Sequence, residues 1–491
     1  MKEKFNAFQV GGLFAGVAAA IIIMIFLDLG AENRNAQIVA AVSALMSIWW
    51  ITEAVPLAVT ALVPLILFPI TGALASNNVA QAYMNSTIFL FVGGFIIAIA
   101  MEKWDLHKRI AINMIYFLGS SPSRLVLGFM CASFFLSMWI SNTATAMMML
   151  PIGLAIIYKV DEEFGSEQTY KFSTALLLGI AYGASIGGMA TLIGTPPNLV
   201  FARIFKISFP DKSPIMFVEW MKFAFPIALL MLGVTWIVLT KLLFKTGDDL
   251  SINRAIIKSE KEKLGKMSFE ERAVAIVFFV TALLWIFRVE MNLDFIKIPG
   301  WSTLFSKADF IDDGVVAMTM AIILFLIPTK SEETKSQFIL GADAIGKIPW
   351  DIVLLFGGGF AIAEGFVSSG LSKLIGQQLA SFSGIHLLLL LLIVCFVVTG
   401  LSELTSNTAT AQILLPVLAS LAIELNMNPF LLMIPATLSA SFGFMLPVGT
   451  PPNAIVFSSH RLKIFDMVKT GIIIDLLSVA VIALYMYFYL G

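Results

Sequence analysis

Apolar runs near or above the length needed to cross a lipid bilayer recur along most of this chain. The clearest cover residues 8–27, 216–243, 273–287, 315–327 and 471–490, and about 18 consecutive apolar residues make a transmembrane helix. In the hydrocarbon layer each backbone N–H and C=O group needs a partner within the protein, so such runs fold as helices. With only 13% of its residues charged, the sequence predicts an all-α, polytopic protein of the cell membrane.

Charges at the two ends predict the orientation of the chain. Lys2 and Lys4 precede the first apolar run, whereas residues 484–491 contain no basic side chain. Basic residues collect on the cytoplasmic side of a membrane. We therefore expect the chain to start in the cytoplasm, to finish on the opposite side and to cross an odd number of times. The first run lacks a convincing cleavage site, which favours a retained helix over a signal peptide.

The remaining composition argues against other classes of function. A net charge of −1 offers no electrostatic surface for nucleic acid. Cys131 and Cys395 lie in apolar segments without metal-ligand spacing, which favours core packing. His107, His386 and His460 pair with no Cys, Ser or acidic residue at the spacing of a nucleophile or a metal site, so the sequence disfavours a membrane enzyme.

The chain contains an internal repeat. Three motifs occur twice in the same order: Ser-Asn-Thr-Ala-Thr-Ala at residues 141–146 and 406–411, Gly-Phe-x-Ile-Ala at 94–98 and 359–363, and Gly-Thr-Pro-Pro-Asn at 194–198 and 449–453. Identities of this length in a common order indicate two related halves. We predict a first half at residues 1–243 and a second half at residues 273–491.

The segment between the halves, residues 244–272, is predicted to be a linker. Thirteen charged residues fall between positions 245 and 272. Such a segment is either a solvated loop or an amphipathic helix on the membrane surface, and both alternatives stay open at this point.

A polar break early in each half predicts a re-entrant hairpin. Residues 87–101 are about fifteen apolar positions followed by a charged segment, and the next run, 110–118, is shorter. Neither piece comfortably spans a hydrocarbon core of about 30 Å. A helical hairpin that enters and leaves by one face is possible where protein or a cavity covers its backbone. Residues 352–363 repeat the pattern in the second half.

The longest charge-free stretch places a polar triplet in mid-membrane. Residues 125–158 hold no charged side chain, and as one helix they would measure about 50 Å, so the stretch must tilt, break or turn back. Ser141-Asn142-Thr143 lies at its centre. The equivalent triplet, residues 406–408, lies at the centre of the corresponding run, residues 387–423.

These duplicated motifs suit the binding of ions. A single Ser-Asn-Thr triplet usually joins one membrane helix to another, and a single Pro-Pro pair often marks a kink. Their duplication favours a binding site. Interrupted helices present N–H groups that attract an anion, while free carbonyl and side-chain oxygens coordinate a cation such as Na⁺.

Two carboxylates stand in or near the apolar runs. Glu403 precedes the second triplet, and its repeat position is held by Met138. An intramembrane carboxylate indicates function, and the sequence leaves two roles open for Glu403: capping backbone N–H groups, or proton coupling. Glu53, at a helix boundary, is interpreted as structural.

On the paired triplets, the Gly-Thr-Pro-Pro-Asn loops and Trp-Asp-Leu-His-Lys-Arg at residues 104–109, nearly the whole chain resembles the divalent anion/sodium symporter family. The resemblance implies inverted repeats, about eleven transmembrane helices, two re-entrant hairpins and a homodimer. It also implies an elevator-like motion of a transport domain against a scaffold. Substrates of the family are succinate, malate, fumarate, oxoglutarate, citrate or sulfate.

The resemblance also implies a set of site residues. The first sodium site would use Ser137, Ser141, Asn142 and the carbonyl of Gly194, and the second would use Ser402, Ser406, Asn407 and the carbonyl of Gly449. The substrate would be held by Ser141, Asn142, Thr143, Ser406, Asn407, Thr408, Thr450 and Pro451.

The sequence therefore predicts a secondary active transporter of small di- or tricarboxylates, with Na⁺-coupled symport as the first hypothesis. Neutral oxygens would equally suit a Na⁺-independent dicarboxylate exchanger, which is the main alternative. A sulfate carrier is a further one. A channel is a weaker hypothesis, since broken helices also line pores.

Overall fold

The computed structural model describes residues 6–119, 121–246, 254–292, 297–332, 336–379 and 384–491. The helices of this part of the chain are α1 Ala7–Phe26, α2 Arg34–Thr52, α3 Leu57–Thr60, α4 Val63–Thr71, α5 Ser76–Tyr83, α6 Ser86–Lys103, α7 Leu106–Leu118, α8 Pro122–Ser137, α9 Asn142–Phe164, α10 Ser166–Gly188, α11 Pro196–Ser208, α12 Phe217–Ile237, α13 Arg254–Lys263, α14 Phe269–Ile286, α15 Asp313–Leu326, α16 Asp343–Gly346, α17 Trp350–Ser368, α18 Leu371–Leu379, α19 Leu387–Ser402, α20 Asn407–Glu424, α21 Phe430–Ser439, α22 Pro451–Phe457 and α23 Ile464–Leu490. A π-helical turn, Val238–Leu243, extends α12, and short 3-10 turns occur at Ala31–Asn33, Trp301–Leu304 and Ala308–Phe310. Two antiparallel strands of two residues each, β1 Met291–Asn292 and β2 Lys297–Ile298, form a small hairpin.

Seven helical stretches of the described chain are long and apolar enough to cross a membrane. They are Ala7–Phe26, Ala31–Thr52, Ser76–Lys103, Asn142–Phe164, Phe217–Leu243, Trp350–Ser368 and Ile464–Leu490. Five shorter apolar stretches accompany them. The predicted all-α, polytopic architecture is confirmed, while the count of about eleven crossings stays a prediction. Lys2 and Lys4, on which the predicted orientation depends, lie outside the described residues.

The predicted early hairpin begins with one continuous helix. Residues 86–103 form α6, and the helical stretch that includes it starts at Ser76 and is a candidate to cross a membrane by length and composition, while the re-entrant arrangement stays a prediction. Two extended residues, Met84 and Asn85, separate α5 from α6, and Asn85 caps α6 by accepting the Thr87 and Ile88 N–H groups. The counterpart α17 is likewise a single candidate span.

Each of these spans is followed by a short amphipathic helix, where the sequence predicted the second arm of a hairpin. The turn after α6 passes through Asp105 in the left-handed region, with φ 54°, and the turn after α17 passes through Gly370, with φ 78°. Beyond the turns, α7 packs mainly on α8, and α18 packs mainly on α20. The sequence therefore predicts the position of this break correctly, and the course of the two helices through the membrane stays a prediction.

The two long apolar runs break at the polar triplets. Helix α8 ends at Ser137 and α9 begins at Asn142, while α19 ends at Ser402 and α20 begins at Asn407. A second pair of interruptions separates α10 from α11 and α21 from α22, and both of these end at a Thr-Pro-Pro sequence. The seven helices from α6 to α12 thus have counterparts, in the same order, from α17 to α23.

Close packing of α8 on α10 fixes the position of the interruption between α8 and α9. A Cβ atom added at Gly187 would lie 2.2 Å from the Phe134 carbonyl oxygen, and one at Gly183 would lie 2.8 Å from that of Met130. Only glycine permits backbones to approach this closely in a membrane interface.

Of the two unpaired cysteines, Cys395 is buried in the core.

The linker contains a helix, as one of the two alternatives predicted. Helix α13 packs on α7 and α9. Arg109 of α7 forms hydrogen bonds to the turn that follows α13. The Arg109 guanidinium donates to both carboxylate oxygens of Glu271, at 2.5 and 2.9 Å, and to the carbonyls of Leu264 and Gly265. Residues 247–253 of the linker lie outside the described residues, and the boundaries of the two halves stay predictions.

A buried ion pair joins the end of α14 to the start of α15. Arg288 Nε lies 2.6 Å from Asp313 Oδ1, and Asp313 Oδ2 accepts the Phe217 N–H at 2.9 Å. Removing one partner of such a pair leaves a buried charge and typically costs about 3–5 kcal/mol. We expect Arg288→Ala to lower the unfolding temperature by several degrees in detergent, measured by scanning fluorimetry. Arg272, an exposed arginine of α14, provides the matched control, and Arg272→Ala should change the unfolding temperature little.

Candidate functional site

Four helix interruptions meet at one cavity of about 790 Å³. Its polar wall consists of the ends of helices from both halves, namely Ser141, Asn142, Thr143, Gly194, Thr195, Pro196, Pro197, Ser406, Asn407, Thr408, Gly449, Thr450, Pro451 and Pro452. An apolar wall, made by Ile51, Leu57, Phe91, Phe95, Ile352 and Leu355, belongs to helices that precede the interruptions and to α17. The cavity also reaches Asn6, Phe8 and Gln9 at the beginning of α1.

In the first half, Ser137, Gly188 and Gly194 lie close together behind the triplet residue Asn142. Ser137 Oγ donates to Asn142 Oδ1 at 2.5 Å. A Cβ atom added at Gly188 would lie 2.1 Å from the same oxygen, and one added at Gly194 would lie 2.8 Å from the Ser137 carbonyl oxygen. Ser141 caps α9 by accepting the Ala144 N–H at 3.2 Å. The arrangement gathers an amide oxygen, a hydroxyl and backbone carbonyls in a small volume.

The last residue of the Gly-Thr-Pro-Pro-Asn motif holds the broken backbone in place. Asn198 Nδ2 donates to the carbonyls of Gly188, Met189 and Thr191, at 3.2, 3.3 and 2.6 Å. These carbonyls lie at or beyond the end of α10 and cannot be satisfied within the helix. One amide group therefore stabilises the interruption without closing it.

The second half repeats this geometry closely. Ser402 Oγ lies 2.9 Å from Asn407 Oδ1 and donates to the Ala440 carbonyl at 2.6 Å. Asn453 Nδ2 donates to the carbonyls of Gly443 and Leu446, each at 3.0 Å. The same residue types at the same repeat positions thus make the same contacts, although the sequence between them differs.

The structure brings together all the residues predicted for the site. The triplet residues, Thr450, Pro451, Gly194 and Gly449 line the cavity. Ser137 and Ser402 lie just behind the lining and are hydrogen-bonded to the two asparagines. Sequence reasoning missed Gly188, whose close approach has no signal in a single sequence. It also missed Asn198 and Asn453, although the duplicated motif contains both.

Glu53 ends α2 in the left-handed region, with φ 46°, and its carbonyl accepts from the Gln9 side chain at 3.3 Å. Glu53 thus lies at a helix boundary, as the sequence predicted, and its structural role stays a prediction. The side chain is exposed and lines the cavity together with Asp351.

The charges around the cavity are unexpected for an anion site. Among the described residues that line it, Glu53 and Asp351 carry charge, and no lysine, arginine or histidine contributes. Positive potential comes instead from backbone: α9, α11 and α20 all begin at the cavity wall, and each helix start carries about half a positive charge. Neutral oxygens from both triplets lie among these helix ends. Such a site favours a cation and an anion together over an anion alone.

Comparison with known proteins agrees with this arrangement. A family model described as the sodium:sulfate symporter transmembrane region matches residues 9–490. The chain belongs to the divalent anion/sodium symporter family. Membership confirms the resemblance seen in the sequence and makes the protein a multi-pass membrane transporter and not an enzyme.

Close relatives of this symporter-family protein cover its full length. The sodium-dependent dicarboxylate transporter SdcS of Staphylococcus saprophyticus is 40% identical over 491 residues, which covers 99% of this chain and 92% of the relative. SdcS of Staphylococcus aureus strain NCTC 8325 is 40% identical over 494 residues with the same coverage.

Two solved structures share the fold at low sequence identity. The YdaH transporter of Alcanivorax borkumensis has a TM-score of 0.57 and 13% identity, covering 86% of this chain and 89% of that one. MtrF of Neisseria gonorrhoeae has a TM-score of 0.55 and 12% identity, covering 100% and 96%. Both likenesses concern the fold alone.

Proposed function

We propose that this protein carries small dicarboxylates, such as succinate, malate and fumarate, across the cell membrane together with Na⁺. The observation that carries the proposal is the cavity at which both triplets meet without a basic side chain among its described lining residues. Burying an unpaired charge costs several kcal/mol per ion. A doubly negative solute therefore needs cations beside it, and Na⁺ bound at neutral oxygens supplies them.

Two equivalent clusters are suited to hold those cations. The first combines Asn142 Oδ1 with the hydroxyls of Ser137 and Ser141 and the carbonyl of Gly194, and the second combines the repeat-related atoms of Ser402, Ser406, Asn407 and Gly449. Amide, hydroxyl and carbonyl oxygens are ligands that suit a hard cation in a membrane transporter. Thr143, Thr408, Thr450 and Pro451 complete the wall that would face the substrate.

Two relatives support sodium coupling and a dicarboxylate substrate. Both proteins named sodium-dependent dicarboxylate transporter are 40% identical to this chain from end to end. The duplicated triplets offer one polar patch from each half, which suits a solute with a carboxylate at each end better than a compact anion such as sulfate. Citrate is a second candidate substrate.

The two walls of the cavity support an elevator mechanism. One wall is polar and made of helix ends, while the other is apolar and made of side chains from α2, α3, α6 and α17. The apolar wall can form few hydrogen bonds or ion pairs with the polar wall. Such a surface suits the sliding of a transport domain along a scaffold. The cavity reaches the start of α1, so with a cytoplasmic N-terminus it opens inward. Inverted repeats and a homodimer, implied by the family, belong to the same proposal.

The proposal is tested by uptake of labelled succinate into proteoliposomes that contain the purified protein. We expect an inward Na⁺ gradient to raise the initial rate at least about tenfold over a matched K⁺ gradient, because each bound Na⁺ offsets charge that the cavity cannot otherwise accommodate. Vesicles without protein are the control. Uptake that needs internal dicarboxylate and ignores Na⁺ would establish the exchanger instead.

A further inference from the structure

Glu403 lies in the turn between α19 and α20 and is buried, with 4% of its surface exposed. Its Oε1 atom accepts the backbone N–H of Met445 at 2.8 Å. Met445 belongs to the connection between α21 and α22, in which backbone groups have lost their intrahelical partners. The contact is the capping role, one of the two that the sequence left open, and it joins two separate interruptions of the second half.

The other oxygen of Glu403 lies near Gly449, at the far end of the same connection. A Cβ atom added at Gly449 would lie 3.0 Å from Glu403 Oε2. One side chain therefore spans the connection from Met445 to Gly449. The carbonyl of Gly449 is one of the oxygens assigned above to the second cation cluster, so the position of Glu403 bears directly on that cluster.

The first half makes the same tie with a different residue. The position equivalent to Glu403 is Met138, which has no polar side chain. There the Thr191 hydroxyl donates to the Met138 carbonyl and accepts the Gly194 N–H at 3.2 Å. At the repeat position of Thr191 the second half has Leu446. In each half one polar side chain joins the two interruptions, but through different atoms: Thr191 bonds the Met138 carbonyl in the first half, and Glu403 bonds the Met445 N–H in the second.

Asp475 of α23 is a second buried carboxyl group next to Glu403, and it bears on the substitution of Glu403 by glutamine. It is buried, with 5% of its surface exposed, and its carboxyl group faces Glu403 and the Phe444 N–H. Neither of its oxygens has a hydrogen bond of ordinary geometry, and the same holds for Glu403 Oε2. A buried carboxylate oxygen without a hydrogen-bond partner is costly. The side-chain N–H of a glutamine at position 403 could donate to the carboxyl group of Asp475.

We propose that Glu403 is a positioning residue, which fixes the Gly449 carbonyl for the second cation cluster as Thr191 fixes Gly194 for the first. The inference rests on the proposed sodium-coupled function. The hydrogen bond from the Met445 N–H to the side chain at position 403 performs this positioning, and a negative charge on that side chain is not required for it.

The test measures the Na⁺ dependence of succinate uptake in proteoliposomes for four proteins. Glu403→Met, which installs the residue of the other half at similar volume, is expected to raise the half-saturating Na⁺ concentration about tenfold, the effect of one lost buried hydrogen bond. The KM for succinate at saturating Na⁺ should stay within about twofold. Glu403→Gln keeps the acceptor and should stay within about threefold of wild type.

The double variant Glu403→Met, Leu446→Thr rebuilds the tie of the first half. The new threonine hydroxyl can donate to the carbonyl of residue 403, so we expect the Na⁺ response to return to within about threefold of wild type. Should Glu403→Met alone not fold, recovery of folded protein in the double variant, seen by size-exclusion chromatography, is the expected result. A global packing defect at position 403 would not be repaired by a hydroxyl at position 446.

Three results would overturn the inference. They are an unchanged Na⁺ response in Glu403→Met, a Glu403→Gln variant as defective as Glu403→Met, and no rescue by Leu446→Thr. Wild-type protein without Na⁺-dependent uptake would overturn the proposed function and this inference with it. A normal wild-type response beside an unaltered Glu403→Met variant defeats the inference alone.

Discussion

Asn142→Ala and Asn407→Ala are each expected to abolish transport while leaving the protein folded. Each substitution removes an amide oxygen that lies within 3 Å of a serine hydroxyl behind the cavity wall and is assigned to a cation cluster. A hydrogen bond or ligand to a charged group contributes about 1.5–3 kcal/mol, so loss of one ligand should by itself reduce Na⁺-driven succinate uptake at least about tenfold. Because both cations are needed beside a dianion, one intact half cannot replace the other.

The measurement is the initial rate of labelled succinate uptake under a Na⁺ gradient. Asn113→Ala is the matched control, since Asn113 is an exposed asparagine of α7 remote from the cavity lining, and it should transport normally. Thermal unfolding in detergent should give similar midpoints for all three variants. Wild-type rates in either Asn142→Ala or Asn407→Ala would remove that residue from the site.

Gly188→Ala is expected to be nearly as damaging, although glycine has no side chain to bind anything. The added Cβ atom would lie 2.1 Å from Asn142 Oδ1 and 2.9 Å from Asn142 Cγ, well inside van der Waals contact. The flexible end of the Asn142 side chain is what moves, so the fold survives and the cation cluster does not. A displacement of about 1 Å at a functional group can cost on the order of 100-fold in rate.

Gly94→Ala separates this effect from glycine replacement in general. Gly94 is also a buried helical glycine, but the nearest atoms to an added Cβ belong to the Ile193 side chain at 3.5 Å or more, which is ordinary contact. Its uptake should match wild type. Equal uptake by Gly188→Ala and Gly94→Ala would contradict the assigned position of Asn142.

Most of the candidate site could be predicted because it is duplicated. A single Ser-Asn-Thr triplet is ambiguous in a membrane helix, whereas the same triplet at residues 141–143 and 406–408, each in an apolar run too long for one helix, requires two interruptions. The paired Gly-Thr-Pro-Pro-Asn motifs add two more, because proline cannot continue a helix from the preceding turn. These constraints act locally, and one sequence contains them.

The exact ends of α6 could not be predicted, for an equally physical reason. Hydropathy measured the apolar length of residues 87–101, but a helix is ended by its caps and not by its first polar residue. Asn85 starts α6 and Trp104 ends it, so Glu102 and Lys103 are still helical. The left-handed turn at Asp105 then redirects the chain, and no periodicity in the sequence marks it.

By itself the sequence determined that the chain is a helical membrane protein, that its halves repeat, and that its helices are interrupted at four motifs. Hydrocarbon forbids unpaired backbone, so composition and proline placement suffice for those conclusions. Only the tertiary structure decided which atoms meet: Gly188 against Asn142, Glu403 against Met445, and a cavity without basic side chains among its described lining. Such contacts join residues far apart in the chain through packing, and packing depends on the whole fold and on no local pattern.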